Sequence, residues 1–156
     1  MESATGERVN AVNADTIAHE RGLVVSEQRT DDAEPFASVV TLQVGDSESS
    51  VTLAGSSAHG RPHLAKVAGF AIDAELAGTI LVTRHRDQPG IVGAVGGALA
   101  KAGVNISSLE LSRLSESGEA MMFVTVDDPI PSDLIEGLTA VPGMLDARVI
   151  TLPSSG

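Results

Sequence analysis

The chain of 156 residues has no cysteine, tryptophan or tyrosine, and only three phenylalanines. Without a thiol there is no disulfide, no thiolate metal site and no cysteine nucleophile, a composition that suits a reducing compartment. Without large rings, the core must come from Val, Leu, Ile, Ala and Met. Basic side chains are scarce too: 10 Lys and Arg stand against 21 Asp and Glu, for a formal net charge of −11. That field repels a nucleic-acid backbone and an anionic membrane surface, and no Lys/Arg cluster makes a local exception. A zwitterion or compact polar molecule stays compatible, because a pocket sets its own local charge. No stretch approaches the ~18 apolar residues of a membrane-spanning helix. The opening MESATGERVN lacks an apolar signal core. The expectation is a soluble, cytoplasmic protein of one ordinary domain or two small ones.

Residues 1–8 read as an irregular start. VNAVNADTIAHER (9–21) spaces Val9, Val12 and Ile17 as a loose helix, ended by Gly22. LVVSEQRT (23–30) and FASVVTLQV (36–44) read as strands. GDSESS (45–50) has hairpin chemistry, VTLAG (51–55) is a return strand, and residues 56–78 hold one or two more, with Gly78 as a boundary. The second half is sharper. GTILVTRH (78–85) is a strand, Pro89 to about Ala102 a helix with Pro89 at its first position, and NISSLELSRL (105–114) a strand with Leu109 and Leu111 on one face. AMMFVTVDD (120–128) is a strand in which one methionine is core and the other faces a partner. PSDLIEGLTA (131–140) is a helix with a Ser/Asp cap, and MLDARVITL (144–152) closes as a strand. Strand, helix, strand, strand, helix, strand is the split βαβ order of a ferredoxin-like sandwich. The predicted fold class is therefore α+β: a βαββαβ domain over 78–152, preceded by a partial, mainly antiparallel α/β domain over 1–77. Ile80 and Val82 lie on one face of the first strand and Leu81 on the other, so helices cover one side only. The second side requires a neighbouring domain or subunit.

The chemistry concentrates in HRDQPGIVG (85–93). Gly90 has no side chain to hinder a ligand's approach to the backbone. The free N–H groups of the first helical turn, from Gly90 to Val92, favour an anion such as a carboxylate. Asp87 is placed to meet an ammonium group, and His85 to hydrogen-bond a hydroxyl or carbonyl. Opposed anion and cation sites a few ångströms apart are what a free α-amino acid requires. Asn105, just beyond Gly103, offers a donor and an acceptor. A plainer reading has Asp87 as a helix cap, His85 as an exposed strand end and Asn105 as a turn residue. The glycines at 93, 96, 97 and 103 read as close-packing positions, since GIVGAVGG lacks both the Lys-Ser/Thr ending of a P-loop and a G-x-G-x-x-G match.

HRDQPGIVGAVGGALAKAGVNISSLELSR resembles the opening of an ACT domain, the small amino-acid-sensing module, and is most similar to the version at the C-terminus of D-3-phosphoglycerate dehydrogenases. RVNAVNADTIAHERGLVVSEQ and GRPHLAKVAGFAIDAELAG resemble the later part of that family's intervening domain. The resemblance covers about residues 8–152. It implies a regulatory module of L-serine biosynthesis that binds L-serine, or another small amino acid, where two ACT domains meet. The residues after the first strand come from one subunit and the asparagine opening the second strand from its neighbour. Those roles fall on His85, Asp87, Pro89, Gly90 and Ile91, and on Asn105 and Ile106. Gln88 stands where the family often has arginine. Some intervening domains bind an anion through basic side chains, which points to Arg61, His63 and Lys66. The resemblance further implies a homo-oligomer, a dehydrogenase catalytic chain as partner, no cofactor or metal held here, and no catalysis by this chain alone. Two other readings stay open: a subunit resembling the β chain of an iron–sulfur L-serine dehydratase, and an oligomerisation module that binds nothing. SSAHG (56–60) is expected to be a polar hairpin loop, VDDP (126–129) a solvated strand end, and the four histidines too scattered for a metal site.

Overall fold

The computed structural model describes residues 13–22, 24, 39–45, 50–58, 61–116 and 118–152. The chain divides into two compact units, Met1–Ala33 and Glu34–Gly156. In the first, helix α1 spans Ala14–Glu20. It stops at Gly22, whose N–H donates to the His19 carbonyl and whose φ of 71° is accessible to glycine at no steric cost. Val9 and Val12, the expected strand over 23–30 and the turn residues 46–49 lie outside the described residues.

The second unit opens with an antiparallel meander: β1 (Val40–Gly45), β2 (Ser50–Ala58), β3 (Arg61–Val67) and β4 (Phe70–Glu75), ordered β1-β2-β3-β4. Ser56, Ser57 and Ala58 belong to β2, paired with His63, Pro62 and Arg61, so the first three residues of SSAHG are strand and not the expected hairpin loop; His59 and Gly60 lie outside the described residues. The ladder simply continues through them. Then come β5 (Thr79–Arg86), α2 (Ile91–Lys101), β6 (Ile106–Arg113), β7 (Glu119–Val126), α3 (Ser132–Thr139) and β8 (Met144–Thr151). Their sheet has the order β6-β7-β5-β8, every neighbouring pair antiparallel. This is the βαββαβ sandwich the pattern called for.

Alternation along the strands builds two cores. Leu81 of β5 and Met122 and Val124 of β7 pack with Val95 and Leu99 of α2 and Leu138 of α3. On the reverse face, Ile80, Met121 and Phe123 pack with Leu64 of β3 and Phe70 and Ile72 of β4. The neighbour required by the second face is therefore the chain's own meander. The methionines divide accordingly, Met122 under the helices and Met121 against β3 and β4. Leu109 joins the helix-side core, while Leu111, two residues further along the edge strand β6, is 46% exposed.

Three local expectations need correction. Pro89 is not the first residue of α2: Gly90 occupies the N-cap with φ 98°, and the helix starts at Ile91. A positive φ at the cap position excludes proline there, so Pro89 lies one step outside. Helix α3 has no Ser/Asp side-chain cap; Pro131 sits at its N-cap, and Asp133 acts only through the favourable placement of a carboxylate in the first turn. The glycines at 93, 96 and 97 are not close-packing positions within the chain, since a Cβ added at any of them meets nothing within 4 Å. Gly103 has a different reason: with φ 70° it ends α2 in a Schellman turn, Gly103 N–H donating to Ala100 O and Val104 N–H to Leu99 O.

Candidate functional site

Strand β5 carries Leu81, Thr83 and His85 on its helix-facing side. Thr83 and His85 are the buried polar residues among those described, at 0% and 2% exposure. They satisfy each other through a 3.3 Å hydrogen bond between Thr83 Oγ1 and His85 Nδ1. Burial pushes the imidazole below its usual range, and the nearby Asp87 carboxylate opposes that shift. His85 is thus an interior group rather than an exposed strand end.

The segment leaving β5 is clamped from two sides. Arg86 N–H donates to Gly143 O and Gln88 Nε2 to Pro142 O (3.0 Å), tying it to the turn before β8. Asp87 N–H donates to Gly118 O at 2.8 Å, tying it to the turn before β7. A side chain at Gly143 would collide with Gln88, whose amide nitrogen lies 2.5 Å from where a Cβ would stand. Gln88 therefore acts as a brace. Asp87 is not a helix cap: its Oδ2 accepts from Arg113 Nη1 at 3.3 Å, and α2 has no side-chain cap bond. Pro89 and Gly90 are exposed. Ile91 is buried in the helix-side core, so its side chain packs and only its backbone N–H faces the helix opening. The result is a bare helix N-terminus with a partly shielded carboxylate beside it.

Asn105 stands elsewhere. In register, Thr79 of β5 faces Val126 of β7, which faces Ile106, whereas His85 faces Ala120, which faces Arg113. Asn105 therefore lies at the opposite end of the sheet from Asp87, a separation of ~23 Å at the usual strand rise. There Asn105 Nδ2 donates to Asp127 Oδ2 at 2.6 Å, and Asp127 N–H donates to Asn105 O. Half-buried Ile106 packs against the helix-side core. One chain does not bring the two halves of the expected site together.

On the meander, Arg61 Nη1 meets both carboxylate oxygens of Glu75 at 3.0 and 3.2 Å, and His63 Nδ1 lies 2.9 Å from Asp73 Oδ1. Two of the side chains expected to hold an anion, Arg61 and His63, thus each face an acid across the β3–β4 pair; Lys66 is exposed. No group of three or more metal-ligating side chains occurs among the described residues. Nor is any helix of the described residues long and apolar enough to cross a membrane. Sequence reasoning missed Thr83, two residues from His85 in β5, and Arg113, Gly118, Pro142 and Gly143, whose contacts come from other strands and turns. Only the glycines carried any signal.

Comparison with known proteins gives two family matches. Residues 79–143 match the ACT domain model, and residues 1–68 match the D-3-phosphoglycerate dehydrogenase intervening domain model. Among curated relatives, the D-3-phosphoglycerate dehydrogenase of Synechocystis is 33% identical over 153 residues, 97% of this chain and 28% of the relative. That of Bacillus subtilis is 30% identical over 146 residues (93% and 28%), and that of Methanocaldococcus jannaschii 28% over 144 (92% and 27%). The chain spans little more than a quarter of the length of these relatives. What it matches in them is a C-terminal regulatory region, in which an ACT domain follows intervening-domain sequence.

Proposed function

We propose that this chain is an amino-acid-sensing regulatory module of a phosphoglycerate dehydrogenase in L-serine biosynthesis. In this reading it divides into an intervening-domain part, 1–77, and an ACT part, 78–152, and binds L-serine where two copies meet. The observation that carries the reading is the exposed opening of α2, where a left-handed glycine cap, three residues beyond Asp87, leaves the first-turn N–H groups without a side-chain cap. The helix opening receives the ligand carboxylate and Asp87 its ammonium group, above the buried His85.

A second copy supplies what one chain lacks. Strand β6 is an edge of its sheet. Antiparallel pairing of two β6 strands about a twofold axis sets the start of one against the end of the other. Asn105 of the second copy then lies beside Arg113 and Asp87 of the first. A ligand held there touches both copies and shifts the assembly only by its different affinity for alternative arrangements, typically ~1–3 kcal/mol of coupling. Transmission to catalysis requires the dehydrogenase body, the proposed partner.

Thermal unfolding against a panel of amino acids tests this. L-serine at about a hundred times its Kd should add about 2.7 kcal/mol of stability. Asp87→Ala and Asn105→Ala should each remove that gain while leaving the oligomer intact; an unaltered gain in both variants refutes the site. A second reading has an observation of its own: Asp87 and Asn105 already have protein partners in Arg113 and Asp127, as in an oligomerisation module that binds no ligand. A flat response to every amino acid favours it.

A further inference from the structure

The other edge of the ACT sheet, β8, pairs with β5 alone. It carries no proline and no lysine; a register shift between Arg84 and His85 leaves Leu145 unpaired as a bulge, and beyond that bulge the strand exposes Val149 and Ile150 at 37% and 44%. Near its middle the order is Leu145-Asp146-Ala147-Arg148-Val149. Asp146 and Arg148 face the side of the sheet away from the helices, and Arg148 Nε meets Asp146 Oδ2 at 2.8 Å. The meander does not cover them: β4 lies against β6 and β7, and the β5–β8 end keeps an open groove of about 370 Å³ lined by Val82, Arg84, Met121, Leu145, Asp146 and Arg148.

We infer that β8 is a second self-association edge, whose occupant is the β8 strand of another copy, antiparallel about a twofold axis at Ala147. The charges select this arrangement. With Ala147 opposite Ala147, Asp146 of each copy faces Arg148 of the other. Sliding the strands to the next register that keeps the helices on one side puts Asp146 opposite Asp146, or Arg148 opposite Arg148. Like charges directly opposite are unfavourable, so both neighbouring registers are rejected. The intrastrand bridge does not compete, because each guanidinium keeps further N–H donors and each carboxylate a second oxygen. Because β6 and β8 are opposite edges, chains that pair through both join more than two copies.

Sedimentation velocity on the whole chain tests the inference. Wild-type mass should rise with concentration beyond a dimer. Asp146→Arg gives a strand with two positive charges and Arg148→Asp one with two negative charges; each alone should lose the β8 contact. Both side chains are largely exposed (42% and 77%), so circular dichroism should show an unchanged fold. An equimolar mixture of the two variants should recover association, and mixing cannot restore the intrastrand bridge. Variants that keep wild-type mass, or a mixture that recovers nothing, overturn the inference. Any dimer left in a single variant belongs to β6 and should still respond to L-serine, so failure of one edge is distinguishable from failure of the other.

Discussion

At the residue scale, His85 shows how a side chain's surroundings decide its role. A histidine ending a strand reads as exposed, yet in β5 it falls on the helix-facing side with Leu81 and Thr83, and desolvation lowers its pKa. The folded protein therefore binds this proton less readily than the unfolded chain. Between the ordinary histidine value of 6.5 and the lowered one, the unfolded state holds more protons. Stability then falls as pH drops through that window, and is unaffected by His85 above it. The expected outcome is that His85→Gln flattens the decline of melting temperature just below pH 6.5, measured against wild type by scanning calorimetry. A variant with the same decline as wild type places the titration elsewhere. Asp87 teaches the complementary lesson. Its polar character was legible, but its bond to Arg113 was not, because those positions are 26 residues apart and only the β6–β7–β5 pairing joins their ends.

At the element scale, α2 and its glycines divide into two physical kinds. Gly97 lies in the helix interior, and a Cβ there meets nothing, so Gly97→Ala should stabilise by about 0.8–1 kcal/mol through helix propensity alone. Gly103 sits at φ 70°, where an L side chain is strained, so Gly103→Ala should destabilise by about 1 kcal/mol. Urea unfolding of the two variants reads the opposite signs; a loss of stability at Gly97 would mean that something outside the chain packs on that face. The elements of the second half were legible because their periods of 3.6 and 2 are clean and their breakers, Gly78, Gly103 and Pro131, sit at the joints. Boundaries were less so. The α2 start was displaced because Pro-Gly fits both a helix that begins at proline and one capped by a left-handed glycine, and only the backbone conformation separates them. The glycines at 93, 96 and 97 read in the sequence as close-packing positions, and inside one copy nothing packs against them.

At the scale of the whole molecule, the sheet has two faces and two edges. The helices take one face and the meander the other, so large side chains such as Met121 and Phe123 are buried without any partner chain. The edges, β6 and β8, each pair with one neighbouring strand. The sequence identified Asp87 and Asn105 as parts of one site, and the register places them a strand's length apart. That separation fits the expectation that the two residues come from different copies, with the site built across β6, the central claim here. Subunit complementation tests it directly. Asp87→Ala and Asn105→Ala are each titrated with L-serine by calorimetry, and then an equilibrated equimolar mixture of the two. The account predicts no binding to either variant alone, and binding in the mixture at one site per mixed dimer, where an intact Asp87 meets an intact Asn105. A mixture as silent as its components would contradict it.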